Sequence, residues 1–135
     1  GWLDILVSGY NLGVPKVAVY RNNHGGGFSL FWSQSGGSQK PSAVWGDFNN
    51  DGRLDILANM GIAATTFLRI YYNNGVSFEL PLYVAANIDN ANFSCADYNN
   101  DGKLDFVVNG NSSGNPILSV YRNDGNSFQQ KLIKY

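Results

Sequence analysis

An all-β fold is predicted for this chain of 135 residues, and three observations support the prediction. Apolar residues either alternate with polar ones or form short runs, and no helical periodicity of useful length is present. Asn-Gly and Asp-Gly pairs stand where hairpins would turn. The chain also repeats itself, since Asp47 and Asp97 lie 50 residues apart in similar segments.

The repeat can be followed through three copies. Leu3, Leu54 and Leu104 are separated by 51 and 50 residues. The segment "VAVYRNN" at 17–23 aligns with "LRIYYNN" at 68–74 and "LSVYRND" at 118–124. A fixed period of about 40 to 50 residues is typical of propellers and solenoids, because one repeat cannot bury its own apolar faces without neighbours.

Each copy is predicted to contain the same strands. The first is a nearly continuous apolar run, as in a strand covered on both faces. The second alternates, so it has one buried face. A third follows a turn, and a fourth precedes the acidic segment. The predicted spans are 28–33, 78–84 and 128–134 for the third strand, and 42–48 and 92–98 for the fourth. Four antiparallel strands in about 50 residues form one blade of a β-propeller.

Hairpin turns are predicted at Asn74-Gly75 and Asp124-Gly125. Both central residues of such a two-residue turn have positive φ.

Acidic residues are concentrated in two loops, "DFNNDGRLD" at 47–55 and "DYNNDGKLD" at 97–105, which hold six of the ten Asp and Glu residues. Asp4 stands at the position that corresponds to the last residue of each loop. Crowded carboxylates disfavour one another's ionisation when no Lys or Arg pairs with them. A bound cation would relieve the repulsion.

These loops, placed between apolar strands in a repeat of this length, resemble the FG-GAP/VCBS repeats of calcium-binding β-propellers. Such repeats occur in integrin α-subunit heads and in many secreted bacterial proteins. The resemblance covers essentially the whole chain, although the FG and GAP signature is poorly kept, with "VWG" and "SCA" near the expected FG region.

Calcium prefers about six to eight oxygen ligands. Alternate residues of a tight loop point inward, so Asp47, Asn49 and Asp51 are predicted to supply oxygens. The resemblance implies two more ligands in this loop, the backbone carbonyl of Arg53 and the carboxylate of Asp55. It implies the same set in the second loop, namely Asp97, Asn99, Asp101, the Lys103 carbonyl and Asp105. Asp4 would be a lone ligand of a partial third site.

Other classes of loop share part of this composition and spacing. An EF-hand would need Glu at position 12, where Ala58 and Val108 stand, so this class is excluded. A metal-free hairpin rich in Asn and Asp is an alternative, since these residues favour turns without any ion. Sodium and magnesium are alternatives to calcium.

Composition and charge exclude several classes of function and structure. A net charge of −1 gives no basic surface for nucleic acid. No apolar stretch approaches the length of about 18 residues that a membrane helix needs. No signal peptide is expected within the given residues, and a leader removed before Gly1 is left open. Cys95 is the only cysteine, so an internal disulfide is excluded and Cys95 is expected to be a small buried strand residue. His24, the only histidine, is expected to be a solvated loop residue.

The sequence leaves the roles of two surface features undecided. The sequons at Asn92 and Asn111 are candidate glycosylation sites, with Asn111 predicted to lie in an exposed loop. Three Trp and eight Tyr residues could line a sugar-binding surface, although packing between blades is the expected role of those within strands.

By the blade scheme that the resemblance implies, residues 1–40 form a partial blade without its innermost strand, and residues 41–90 and 91–135 form full blades. Three blades fall short of the roughly four to eight of a closed propeller. The chain is therefore predicted to be a fragment of a larger propeller or a subunit that assembles into a ring or filament. Its partners would be other blades or copies of itself, and a protein or glycan ligand is a further candidate.

The predicted function is that of a non-enzymatic, calcium-stabilised structural or adhesive module. An extracellular or cell-surface location is expected, because cytosolic calcium would leave such sites empty. A carbohydrate-binding propeller is the alternative.

Overall fold

The computed structural model of the chain describes residues 2–36, 40–62 and 65–133. These residues form eleven β-strands in three antiparallel sheets, and no helix is found among them. The first sheet contains β1 (Ile5–Asn11), β2 (Val14–Asn22) and β3 (Phe28–Ser35). The second contains β4 (Ser42–Gly46), β5 (Asp55–Ile62), β6 (Thr65–Tyr71) and β7 (Leu82–Ala86). The third contains β8 (Asp89–Ala96), β9 (Asp105–Ser112), β10 (Asn115–Asn123) and β11 (Phe128–Ile133).

Each sheet is a meander in which consecutive strands pair. β5 lies between β4 and β6, and β9 lies between β8 and β10. β1, the corresponding strand of the first sheet, pairs with β2 alone among the described residues. The continuous apolar run of β5 is explained by this position, since Ile56, Leu57 and Ala58 are all fully buried.

Two apolar clusters join the three sheets. One lies between the first and second sheets and includes Val17, Val19, Ile56 and Met60. The other lies between the second and third sheets, and its members come from both of them: Leu57, Leu68, Ile70, Phe106, Val108 and Tyr121. Because alternate residues of a strand face opposite sides, neighbouring residues of β5 enter different clusters. The second sheet is therefore the middle layer of the molecule.

The predicted all-β class is confirmed. The sheets do not close on one another within the described residues, so the propeller stays a prediction. Among these residues no helix is long and apolar enough to cross a membrane.

The predicted hairpin turns are wrong in one respect. Gly75 and Gly125 have positive φ, at 87° and 92°, but Asn74 and Asp124 do not. The turns are longer than two residues, because the Asn74 and Asp124 amides bond to the carbonyls of Ser77 and Ser127.

The third strand of the second copy begins later than predicted. Phe78 forms only an isolated bridge with Asn73, and β7 starts at Leu82. Pro81, which has no N–H to offer to a ladder, directly precedes that start. The strands predicted at 42–48 and 92–98 end two residues earlier, at Gly46 and Ala96.

Candidate metal centre

The first acidic loop connects β4 to β5 and is held by its own side chains. Asp47 accepts hydrogen bonds from two backbone amides, those of Asp51 at 3.1 Å and Gly52 at 2.9 Å. Asn49 Oδ1 also accepts from the Asp51 amide, at 3.2 Å. Positive φ values at Asn50 (58°) and Gly52 (81°) bend the backbone around these acceptors. Asp47, Asn49 and Asp51 are thus brought together in one turn, and their role as metal ligands stays a prediction.

The second acidic loop connects β8 to β9 and has the same geometry. Asp97 accepts from the amides of Asp101 at 3.1 Å and Gly102 at 2.8 Å, and Asn99 Oδ1 accepts from Asp101 at 3.1 Å. The two loops also touch, because Asn50 Nδ2 donates to the Gly102 carbonyl at 2.7 Å. This bond joins the two loops directly.

The loops contain cationic partners, which corrects the expectation of unpaired carboxylates. Arg53 Nη2 donates to Asp51, and its Nε donates to the Asn73 carbonyl at 2.7 Å. Lys103 Nζ lies 3.8 Å from Asp101. In a tight turn, a residue two positions after an Asp can reach back to it.

The pKa values of two loop carboxyls are lowered. The hydrogen bond from the Arg53 amide is the main cause at Asp51, helped by the Asn49 side chain and the Arg53 charge. The Asn99 side chain is the main cause at Asp101, followed by the Lys103 amide. Both groups stay ionised at neutral pH, as a metal ligand must.

Asp55 and Asp105, the last residues of the loops, are buried at the start of β5 and β9. The two oxygens of Asp55 accept from the amides of Phe48 at 2.9 Å and Asn73 at 2.8 Å. Those of Asp105 accept from Tyr98 at 3.2 Å and Asn123 at 2.7 Å. Burial raises the pKa of Asp55 against the effect of its two amide bonds. Each carboxylate therefore joins its loop to the turn after the next strand.

Asp4 accepts one of the two backbone-amide hydrogen bonds that Asp55 and Asp105 accept. Its Oδ1 accepts from the Asn22 amide at 2.9 Å, as Asp55 Oδ1 accepts from Asn73. The other contact, an amide from a preceding loop, is not made by any described residue. Asp4 is thus placed as the counterpart of Asp55 and Asp105.

Three Asn residues that the sequence analysis did not single out complete this motif. The side-chain nitrogens of Asn22, Asn73 and Asn123 donate to the carbonyls of Leu3, Leu54 and Leu104 at 3.2, 3.1 and 3.2 Å. Their side-chain oxygens accept from the amides of Gly25, Gly75 and Gly125. The signal was present in the aligned segments "VYRNN", "IYYNN" and "VYRND", where these three positions are all Asn.

The residues fit a hard cation in chemistry, since Asp47, Asn49 and Asp51 each carry a side-chain oxygen and converge in one turn. The Asn49 side-chain nitrogen donates to Asp51 at 2.8 Å. Among the described residues, however, no three acidic, His or Cys side chains form a ready-made metal group. The reason is visible at Asp55, whose oxygens point to the amides of Phe48 and Asn73. Asp55 would contribute to an ion only through lone pairs that these bonds leave free.

The other candidate residues are dispersed. His24 is exposed and stacks on Trp2, with ring centroids 5.9 Å apart. Cys95 is half-buried on β8, where burial raises its pKa to about 11 and disfavours the reactive thiolate. Trp32 and Trp45 pack against Phe78, with centroids 5.1 and 6.1 Å away, in the interface of the first two sheets.

The predicted loop position of Asn111 is wrong. Asn111 lies within β9 and is half-buried, whereas Asn92 on β8 is exposed. Use of either sequon stays a prediction.

Comparison with known proteins adds one match. Residues 1–58 match the family model of the FG-GAP-like repeat. The matched segment spans the first sheet, β4, the first acidic loop and the beginning of β5. No curated protein and no solved structure matches the chain significantly.

Proposed function

From the FG-GAP-type repeat that this chain carries, we propose that it acts as a β-propeller repeat module whose two acidic loops bind calcium. The observation that carries the proposal is the equivalence of the loops. Two segments 50 residues apart fold into the same turn, with matching acceptors on Asp47 and Asp97. The Asp at the ninth position of each loop accepts two backbone amides and keeps further lone pairs for an ion.

The chain's own residues would hold the ion. Asp47, Asn49 and Asp51 would bind in the first loop, and Asp97, Asn99 and Asp101 in the second. The Arg53 and Lys103 carbonyls and the carboxylates of Asp55 and Asp105 would complete the two sets. Bound calcium supplies positive charge that offsets the repulsion among these carboxylates.

The role of the ion would be structural. Each loop joins the first two strands of a sheet, and the Asp at its end is tied to the turn beyond the third strand. At millimolar calcium, a site with Kd of about 10⁻⁴–10⁻³ M adds about 0.4–1.4 kcal/mol to stability. We propose an extracellular or cell-surface location, where calcium is concentrated enough to fill sites of this affinity. There the module would act without enzymatic activity and pack against further blades.

Thermal unfolding tests the proposal. The melting temperature is expected to rise when calcium replaces chelator, and isothermal titration is expected to show two sites. The double variant Asp47→Asn and Asp97→Asn should lose both responses. Asp124→Asn is the matched control, because Asp124 lies outside both loops in a surface ion pair with Arg122. A melting temperature that calcium leaves unchanged, with no titration heat, would refute calcium binding.

A further inference from the structure

The turn that follows β6 contains one of the two Asn-Gly pairs of the sequence, Asn74-Gly75. The other pair is Asn109-Gly110. In such a pair the backbone nitrogen of the Gly can attack the side-chain amide carbon of the Asn, because the Gly has no Cβ to hinder the approach. The reaction releases ammonia and converts the Asn into an acid. The surroundings of each pair decide whether its atoms can reach this geometry.

Hydrogen bonds polarise the side-chain carbonyl of Asn74. Its Oδ1 accepts from the backbone amides of Val76 at 3.0 Å and Ser77 at 2.9 Å. When the Gly75 nitrogen attacks, negative charge develops on this oxygen, and both amides are placed to stabilise it. The Gly75 N–H donates to Asn73 Oδ1 at 2.9 Å, which raises the electron density on the attacking nitrogen. The turn therefore places two oxyanion donors and one proton acceptor around the reacting pair.

The Asn74-Gly75 pair is also open to solvent and outside any strand. Residues 74–77 are exposed and lie between β6 and β7. Gly75 has φ of 87°, and a Cβ built there would lie 3.8 Å from the nearest non-adjacent atom, the Cδ of Arg53. Water and hydroxide therefore reach the pair, and its peptide group can rotate without opening a strand ladder.

The Asn109-Gly110 pair has the same sequence and the opposite surroundings. It lies within β9, between β8 and β10, where Asn109 is paired with Asn92 and Leu118. A Cβ built at Gly110 would lie 2.7 Å from the Asp89 carbonyl oxygen, so the backbone there is tightly packed. Rotation of this peptide group would break the pairing with the neighbouring strands. The second pair is therefore expected to be protected, and it serves as an internal control.

The third copy of the repeat shows that an acid fits the turn. Asp124 occupies the position of Asn74 in that copy. Its amide bonds to the Ser127 carbonyl at 2.9 Å, as the Asn74 amide bonds to the Ser77 carbonyl at 3.1 Å. An aspartate formed at position 74 would thus keep the turn, whereas an isoaspartate adds one carbon to the main chain and would not.

We propose that Asn74 is a site of spontaneous deamidation, promoted by the turn that holds it. The Gly75 nitrogen forms a bond to Asn74 Cγ, the side-chain nitrogen takes up the proton that Gly75 loses and leaves as ammonia, and a succinimide ring remains. Water then opens the ring at either carbonyl and gives aspartate or isoaspartate at position 74. The reaction needs no enzyme, oxidant or metal, so the inference is independent of calcium binding.

The isoaspartate product would loosen the first acidic loop. Asn73, directly before the reacting pair, donates its amide to Asp55 at 2.8 Å and its Nδ2 to the Leu54 carbonyl at 3.1 Å. The extra main-chain carbon would displace the turn that carries these bonds. The isoaspartate form, separated by chromatography and identified by enzymatic isoaspartyl methylation, is therefore expected to melt at a lower temperature than the Asn74→Asp variant. Equal melting temperatures would overturn this consequence.

Incubation of the purified chain in chelator at mildly alkaline pH tests the proposal, and peptide mass spectrometry measures the conversion of each Asn. The references are two synthetic peptides, "IYYNNGVSFEL" of residues 70–80 and "DFVVNGNSSGN" of residues 105–115. Asn74 is expected to react in the folded chain at least as fast as in its peptide. Asn109 is expected to react about tenfold or more slowly in the chain than in its peptide, because a ladder must open first. Protection of Asn74 as strong as that of Asn109 would overturn the inference.

Two variants at one position test the role of the turn. Val76→Pro removes one of the two amide donors to Asn74, whereas Val76→Ala keeps it. The Val76 side chain is 81% exposed, so neither change removes a buried side chain. Val76→Pro should slow the reaction at Asn74 by about tenfold or more, and Val76→Ala should leave its rate unchanged. Equal rates in the two variants would overturn promotion by the turn, and the comparison with peptides stands whether or not Val76→Pro folds.

Discussion

Asn123 uses a single side chain to join parts of the backbone that are distant in sequence. Its Nδ2 donates to the carbonyls of Phe48 at 2.8 Å and Leu104 at 3.2 Å, and its Oδ1 accepts from the Gly125 amide at 2.8 Å. The residue is 1% exposed, so water cannot replace these bonds. Asn123→Ala is expected to lower the free energy of unfolding by about 2–4 kcal/mol.

Urea denaturation measures this change. Asn22→Ala is the matched control, since Asn22 makes the equivalent local bonds near solvent and none to a neighbouring sheet. Its cost should be about 1 kcal/mol or less. Similar costs for the two variants would show that the bond to Phe48 contributes little.

Arg69 is a buried charge without an ion pair in the described part of the chain. It is 4% exposed, and its Nε and Nη2 make no hydrogen bond to any described residue. Its guanidinium does act on Tyr71, since burial raises the pKa of that hydroxyl and a side-chain hydrogen bond and the charge of Arg69 lower it. The rings of Phe67 and Tyr83 lie 5.1 and 5.0 Å from its guanidinium carbon. Because a buried charge carries a large desolvation penalty, Arg69→Met should stabilise the protein by about 1 kcal/mol.

The measurement is again urea denaturation, with Arg122→Met as the surface control. Arg122 is paired with Asp124 near solvent, so its replacement should change stability by about 0.5 kcal/mol or less. A loss of stability in Arg69→Met would mean that the cation–π contacts outweigh the desolvation penalty.

Acid should destabilise the fold through Asp51 and Asp101. Their pKa values are lowered in the folded chain, so the stability they contribute is present above the unfolded pKa of about 3.9 and is lost as pH falls through the folded value. In chelator, the melting temperature should therefore drop as the pH is lowered from about 5 to about 3.

The double variant Asp51→Asn and Asp101→Asn isolates this effect. Its melting temperature should fall less over the same interval. Asp55, whose raised pKa acts in the opposite direction, is present in both proteins. Burial is the main cause of its raised pKa and stays the same in the variant, whereas the smaller contribution of the Asp51 charge is lost. Identical curves would assign acid sensitivity to other groups.

At the scale of elements, the acidic loops depend on one backbone conformation. Gly52 has φ of +81°, and a Cβ built there meets nothing within 4 Å. Gly52→Ala therefore tests the backbone alone, and it should cost about 1–2 kcal/mol. Gly9→Ala on β1 is the control, because its Cβ also meets nothing and its φ is not positive. A similar effect of both changes in a denaturant titration would contradict this account.

The strands could largely be predicted from the sequence, because burial on one or two faces leaves a periodic signal. β5 shows this clearly, since "DILANMGI" lies between two strands and between two sheets. The turns could not be predicted in the same way. At Asn74, the side-chain oxygen accepts from the amides of Val76 and Ser77 at 3.0 and 2.9 Å, which favours a longer turn over the two-residue hairpin. Composition does not distinguish these turn types.

Contacts between elements were harder still to predict. The acidic loops were identified from spacing, but the links from Asp55 to Asn73 and from Asp105 to Asn123 cross 18 residues each. Such links depend on how strands are arranged in space. For these links the repeat was the only signal in the sequence. It marked the positions of Asn22, Asn73 and Asn123 but not the residues that they contact.

At the scale of the whole molecule, packing between sheets should decide stability. Phe48 is buried between the second and third sheets, whereas Tyr98, its counterpart in the next copy, is 52% exposed. Phe48→Ala is expected to cost about 3–5 kcal/mol because it leaves a cavity in the interface. Tyr98→Ala should cost less than about 1 kcal/mol.

Denaturant unfolding of both variants provides the comparison. A small cost at Phe48 would mean that the two sheets separate or repack without it, and that their contact is not a major source of stability.

The contact between Asn50 and Gly102 has a consequence for ligand binding. The side-chain amide of Asn50 in the first acidic loop donates to the backbone carbonyl of Gly102 in the second, 52 positions further along the chain. A ligand that fixes the position of either bend would therefore restrain its neighbour through this bond. Under the proposed function, calcium bound at one bend is expected to change the affinity of the other, and the titration would then deviate from two independent sites.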